Sequence, residues 1–427
     1  MATPDDNYAV AENHMLQVQK LLRQQAPVAE VLRLLKQLPE WASLTSQERM
    51  HHFLLCDPVH DTFPLAPWYR ASFIRHLCLE LEEAVAKDEE GSGEVIEPIM
   101  RELNVLLCQP TLNAEPGELA AYFITFECPV VVPMYVDMDS SSSLHEEPDE
   151  QQLLQQRPKI LATRIAPKEN AVGLKLWEAC YVLAEALCSH PKLCRGRDVI
   201  ELGAGVGLLG LVAAYCLGAA SVTMTDVDDK VLLFLRTNVE FNAVATASLL
   251  AADSLVAVHE EKETKGEEAA AAAVVPLIEV AALDWSRPVE YKALLDRSTQ
   301  PSSCTSRKDV KERDRIILAA DCIYDREVIP AFVDVLAYSL QPPTGGSSRK
   351  TTVLVASTMR DPETYAYLEE VVREKGLVMD DVTTMLGSQP PDPVSSHAPW
   401  TFYCPNRAAV RICSFRLRSD EDEDSDK

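Results

Sequence analysis

Asp198-Val199-Ile200-Glu201-Leu202-Gly203-Ala204-Gly205-Val206-Gly207 decides the fold. A short apolar run leads into three alternating glycines and then an apolar helical stretch, Leu208–Tyr215. The run reads as a buried strand. The glycines permit a tight turn and bring backbone amides close to a ligand at the N-terminus of the helix that follows. In open α/β sheets the carboxyl end of such a strand faces the binding crevice, so a nucleotide-like cofactor is implied. Spacing alone leaves its class open, because Gly205-x-Gly207-x-x-Gly210 also satisfies the dinucleotide fingerprint.

Outward from this stretch, short apolar or β-branched runs alternate with helical ones. Ser221–Thr225, Ile278–Leu283, Ile316–Ala320 and Thr352–Ser357 read as strands, and Asp229–Asn242, Val328–Leu340 and Pro362–Lys375 as helices. Such alternation predicts a doubly wound α/β fold, a mostly parallel sheet with helices on both faces. Val378–Met385 and Val410–Leu417 would add an antiparallel edge. Before this domain, Leu16–Leu38 and Phe73–Ala84 carry apolar residues at helical spacing, with Pro27 separating two helices. Tyr122–Val136, interrupted by Pro129 and Pro133, reads as an edge strand or packed arm.

The predicted organisation is a helical accessory domain over 1–136, a Ser-rich acidic linker over 137–158, an α/β domain over 159–418 and an acidic tail over 419–427. Polar or biased stretches at 259–273 and 299–313 read as insertions on the α/β core.

Across 427 residues, 66 acidic side chains against 40 basic ones give a formal charge of −26, which disfavours a nucleic-acid partner and suits a basic protein surface. Hydrophobic residues at 47% exclude a chain disordered throughout. No run approaches the roughly 18 apolar residues of a membrane span. The 12 cysteines form no Cys-x-x-Cys pair and the 9 histidines no ligand spacing, so no metal site is expected and the thiols read as reduced in a cytoplasmic protein.

Three neighbours of the glycine turn bear on the cofactor. Glu201 sets a carboxylate just before Gly203, where it would repel a pyrophosphate but suit a cationic amino-acid tail. Asp226 ends the second strand 19 residues beyond Gly207, where a carboxylate commonly bonds ribose hydroxyls. Asp284-Trp285 follows the third strand and offers a polar and an aromatic group to an adenine. After the fourth strand, Ala320-Asp321-Cys322-Ile323-Tyr324 puts an acid and a phenol at the lip of the same crevice. Singly, each has a plainer reading as a cap or a core residue. Their order along the chain is what makes them a set.

That set, with Gly173-Leu174-Lys175-Leu176-Trp177-Glu178-Ala179, resembles the ordered motifs of the class I, seven-β-strand protein-lysine methyltransferases. The resemblance covers about Gly173 to Ser357. It implies a Rossmann-like seven-stranded sheet and an S-adenosylmethionine site formed by Trp177, Glu201, Gly203, Gly205, Gly207, Asp226, Asp284, Trp285 and Ala320. It also implies that Asp321 and Tyr324 face the substrate lysine, Asp321 to position the ammonium and aid loss of its proton. Tyr69–Phe73 and Arg360–Thr364 are similar to the branch that methylates elongation factor 2, which implies that protein as substrate and the N-terminal helices as its reader. The insertions at 259–273 and 299–313 are longer than the family pattern. The chain is expected to act as a monomer. A lysine methyltransferase of a chaperone or of elongation factor 1A, an NAD-dependent oxidoreductase, and a non-catalytic interaction protein of the same fold are the alternatives.

Overall fold

The computed structural model describes residues 4–87, 94–108, 121–128, 159–167, 169, 171–260, 277–297, 313–342, 349–387, 402–419 and 422. The chain divides into two compact units. One comprises Met1–Glu127, Ala162–Asn170 and Pro390–Tyr403, and the other Cys128–Leu161, Ala171–Gln389 and Cys404–Lys427.

The first unit holds α1 (Pro4–Arg23), α2 (Val28–Leu35), α3 (Leu44–Met50), α4 (Val59–Thr62), α5 (Pro67–Ala86) and α6 (Glu97–Leu107). Pro27, without an amide hydrogen, sits where α1 has ended and α2 begins. Val18, Leu22, Leu35, Ile74, Leu77 and Leu81 interdigitate in its core. Asp57 is buried and accepts two bonds from Arg23, at 2.7 and 2.9 Å, so neither charge is left without a partner in the interior. The strands β1 (Tyr122–Cys128) and β2 (Lys159–Ile165) form a two-stranded sheet.

The second unit is built on a seven-stranded sheet. Its strands are β3 (Asp198–Leu202), β4 (Ser221–Asp226), β5 (Leu277–Ala282), β6 (Arg315–Ala320), β7 (Thr351–Thr358), β8 (Leu377–Asp381) and β9 (Val410–Leu417). They lie in the order β5-β4-β3-β6-β7-β9-β8. The first five pair in parallel, and β9 runs antiparallel to β7 and β8. This is the doubly wound, mostly parallel architecture expected from the alternation, with the expected antiparallel edge.

The helices of this unit are α7 (Glu178–Ser189), α8 (Leu208–Tyr215), α9 (Asp229–Glu260), α10 (Pro288–Leu295), α11 (Ile329–Leu340) and α12 (Pro362–Glu374). One face of the sheet, through Ile200, Leu202, Ile317 and Val353, packs against Phe332 and Leu336 of α11 and Val371 of α12. The opposite face carries α7 and α8. Because side chains alternate along a strand, Glu201 points to the α8 side while Ile200 and Leu202 point to the other.

The sequence pattern places the end of α9 at Asn242, whereas the helix continues to Glu260. The continuation is rich in Ala and Leu, the strongest helix formers, and has no Pro or Gly to stop it. The expected linker 137–158, the expected insertions and tail, and the Pro129–Val136 part of the arm lie outside the described residues, apart from the end of α9, Arg313, Ser419 and Asp422. Among the described residues no helix is long and apolar enough to cross a membrane.

Phe332 is fully buried, with its ring 5.0 Å from that of Trp285. Phe332→Ala should therefore cost about 3–5 kcal/mol of unfolding free energy. Urea melts followed by circular dichroism check this, and a loss under about 1 kcal/mol would show that the site collapses around the missing ring.

Candidate active site

β3 pairs with β4 on one side and β6 on the other, and the crossovers leave it in opposite directions. The register aligns Leu202 with Thr225 and with Ala319, so Gly203, Asp226 and Ala320 emerge level at the carboxyl edge of the sheet. This is the switch point at which open α/β sheets form a crevice.

The turn Gly203–Gly207 needs glycine for two reasons. Gly203, Gly205 and Gly207 have φ of 62°, 55° and 90°, in the left-handed region. A Cβ would also collide: at Gly203 it would stand 2.7 Å from Cys322 Sγ and 3.3 Å from the Trp285 ring, and at Gly205 2.9 Å from the Gly173 carbonyl oxygen. Gly203, Cys322 and Trp285 therefore converge on one spot. The Gly173–Leu174 turn packs on the glycine loop.

Two carboxyl groups hold the turn from below. Glu201 is buried, and its Oε2 accepts the Gly210 amide of α8 at 2.9 Å. Asp226 Oδ2 accepts the Gly205 amide at 3.1 Å, while Oδ1 accepts those of Val227 and Asp228 at 2.8 and 3.2 Å. Ala204 and Gly207 donate to the Thr225 and Ala204 carbonyls. Burial pushes the Glu201 carboxyl up to about 8, with the Asp226 charge adding to it and the Gly210 amide opposing it. Burial also raises Asp226, against the pull of its three amide donors.

Asp284 and Trp285 part company. The Asp284 carboxylate turns to Ser286, accepting from its amide at 2.9 Å and its hydroxyl at 2.6 Å, and pairs with Arg287 at 3.3 Å. The Ser286 bonds, more than Arg287, hold it below the usual carboxylate range. Asp284 thus shapes the entry to α10, and Trp285 alone leans toward Gly203.

Asp321 has φ of 52°, a left-handed conformation uncommon outside glycine. Its side chain is only 4% exposed. Oδ1 accepts the Thr358 amide at 2.8 Å and Arg360 Nη1 at 3.1 Å, and Oδ2 accepts the Thr358 hydroxyl at 2.9 Å and the Ala179 amide at 3.1 Å. The expectation that Asp321 reaches out to an ammonium meets a carboxylate whose two oxygens are already engaged. Asp321 does not cap the helix after it either. Tyr324 is 59% exposed at the rim. Its hydroxyl is raised by burial and by neighbouring Cys322 and Asp226.

Trp177 stands at the N-cap of α7 in extended conformation, so Trp177 and Leu176 precede the helix rather than ride on it. Its indole N–H donates to the Val172 carbonyl at 3.2 Å. The Arg360 guanidinium carbon lies 4.9 Å from its ring centroid. The sequence motifs include Arg360 and Glu178 but give no sign of this contact or of the role of Thr358. No signal short of the fold joins residues so far apart in the chain. Among the described residues no group of three or more His, Cys, Asp or Glu is placed to hold a metal ion.

Residues 159–275 match a family model described as lysine methyltransferase. That segment contains Trp177, Glu201, the three glycines and Asp226, whereas Asp284, Trp285, Ala320, Asp321 and Tyr324 fall beyond it. An uncharacterized protein of Dictyostelium discoideum is 24% identical over 52% of this chain and 55% of its own length. A Bos taurus protein named protein-lysine N-methyltransferase EEF2KMT is 29% identical over 50% of this chain and 55% of its own length. A Chaetomium thermophilum protein named protein-lysine N-methyltransferase EFM3 is 24% identical over 71% of each chain. The chain thus spans little more than half the length of the first two relatives.

The raised Glu201 carboxyl makes a pH prediction. Folded protein keeps a proton that the unfolded chain releases near the ordinary value of 4.5, so Glu201 lowers stability as pH rises from about 4.5 to about 8, with no further change above. Denaturant melts of the wild type and Glu201→Gln across that range should diverge, the wild type losing stability relative to the variant as pH climbs. Parallel curves would mean that Glu201 ionises normally in the folded protein.

Proposed function

We propose that this chain is an S-adenosylmethionine-dependent protein-lysine N-methyltransferase whose substrate is elongation factor 2. One observation carries the cofactor class. At the switch point the amides of Ala204, Gly205, Gly207 and Gly210 all donate within the protein, Gly210 to the buried Glu201 carboxyl and Gly205 to the half-buried Asp226. A dinucleotide pyrophosphate needs free amide donors at a helix N-terminus and is an anion. Here it would meet acceptors and raise the cost of ionising Glu201 and Asp226 further. A cofactor with a cationic amino-acid tail and a ribose diol fits this set, and the crowded glycine turn leaves the close approach that it requires.

When bound, S-adenosylmethionine supplies a methyl group activated on a sulfonium. Glu201 and Asp226 are assigned to its amino-acid and ribose ends, Gly203, Gly205 and Gly207 to backbone approach, and Ala320 and Trp285 to the lining beside Gly203. Near neutrality Glu201 holds a proton that a nearby cation would drive off. Trp177 borders the cleft from the start of α7. Tyr324, exposed at the rim, offers a ring face and a hydroxyl to a lysine side chain. Asp321 is assigned to positioning through its bonds to Thr358, Ala179 and Arg360 rather than to taking the proton itself. Transfer then rests on alignment and exclusion of water, with the neutral amine as nucleophile.

Relatives named as protein-lysine N-methyltransferases support the reaction class. The similarity at Tyr69–Phe73 and Arg360–Thr364, together with the EEF2KMT name of a relative, supports elongation factor 2. We assign the helical N-terminal region to recognising that protein, and the acting unit is a monomer in the cytoplasm.

Incubation with labelled S-adenosylmethionine and elongation factor 2 tests the reading by mass spectrometry of the product. The wild type should methylate a lysine. Gly203→Arg and Asp226→Ala should lose cofactor affinity, and Asp321→Ala should lose turnover more than affinity. Label on a chaperone or elongation factor 1A would reassign the substrate, and the absence of any labelled protein would reject the enzyme.

A further inference from the structure

Arg360 joins three segments that are remote in sequence. Its Nη1 donates to Asp321 Oδ1 at 3.1 Å, and its Nη2 donates to Glu178 Oε2 and, at 3.4 Å, to Asp321 Oδ2. Its guanidinium carbon lies over the Trp177 ring, 4.9 Å from the centroid. Glu178 is itself fixed by the Asn406 side-chain amide at 3.2 Å. Against the cost of its own burial, Arg360 is held more firmly protonated by Asp321 and then Glu178. The side chain is 41% exposed, so it lies at the lip rather than in the core.

Only a guanidinium can make all these contacts at once. It is planar, delocalised and forked, so it can bridge two carboxylates in its plane while its face rests on an indole. A lysine ammonium is a point charge without a face to stack. Arg360 and the segments it joins also frame the cleft. Trp177 opens α7, Asp321 closes β6, and Arg360 follows β7 just before α12, whose start is set by Asp361 accepting from the Glu363 and Thr364 amides.

We propose that Arg360 is a positioning residue that locks the Trp177 ring to the Asp321 carboxylate and thereby aligns the acceptor lysine at the rim. This rests on the methyltransferase reading. Arg360 carries no proton in the reaction, and its effect passes through Trp177 and Asp321. Removing it leaves Asp321 its bonds to Thr358 and Ala179, so the fold keeps its main ties and the tryptophan loses its clamp.

The test uses the full chain, labelled S-adenosylmethionine and the substrate band that the wild type labels. Arg360→Ala should reduce kcat by about 100-fold, the scale of a misplacement of roughly 1 Å, with calorimetric affinity for S-adenosylmethionine falling much less. Methylguanidinium added to Arg360→Ala should restore part of the rate, whereas the double variant Arg360→Ala, Asp321→Ala, lacking the carboxylate that would hold it, should not respond. Arg360→Lys should stay impaired, and Arg360→Gln serves if the alanine variant does not fold. Unchanged kcat in a folded Arg360 variant, or no response of Arg360→Ala to methylguanidinium, would overturn the proposal. A wild type that neither binds S-adenosylmethionine nor transfers label would instead overturn the methyltransferase reading, and this proposal with it.

Discussion

Everything in the α/β unit turns on how the amides of the glycine turn and the first turn of α8 are satisfied. A helix N-terminus leaves donors without intrahelical partners, and most folds in this layout leave them to an anionic ligand. Here the protein supplies the acceptors itself. Glu201, from inside the sheet, takes the Gly210 amide, and Asp226, from the neighbouring strand, takes that of Gly205. Both carboxyl groups lose water in doing so, which raises their affinity for protons. The turn thus faces carboxyl acceptors, and its glycines let Cys322, Trp285 and Gly173 pack close against it.

The same economy appears at the far side of the crevice. Asp321 adopts a left-handed backbone conformation that costs energy, and that strain is offset by bonds from Thr358, Ala179 and Arg360. A side chain tied this tightly is poor at moving protons and good at holding geometry. Tyr324, three residues on, stays exposed, so the rim pairs a rigid wall with an accessible phenol.

The parts of this structure that could be read in the sequence are those where local pattern and final environment agree. β3 is buried at all five positions, its apolar Val199, Ile200 and Leu202 mark it as a core strand, and its predicted span, Asp198–Leu202, is the observed one. The glycine turn was equally legible, because positive φ leaves few other choices. Legibility ended where partners are chosen in three dimensions. Asp284 and Trp285 are adjacent yet serve different neighbours, Ser286 and Gly203, and nothing in their order says so. Arg360 reaches Glu178 across 182 residues, a contact that exists only once β6, β7 and α7 are assembled. The α9 extension was missed for the opposite reason: the sequence pattern ends the helix at Asn242 and leaves the next residues unassigned, although their Ala- and Leu-rich composition suits a helix.

Hydrogen–deuterium exchange with and without S-adenosylmethionine addresses the central claim most directly, because it reports where the ligand rests without requiring turnover or a known substrate. The account predicts slower exchange over 203–207 and at 226–228 on addition of S-adenosylmethionine, with little change when NADH replaces it. Equal protection by both ligands, or protection elsewhere with the glycine turn unaffected, would contradict it.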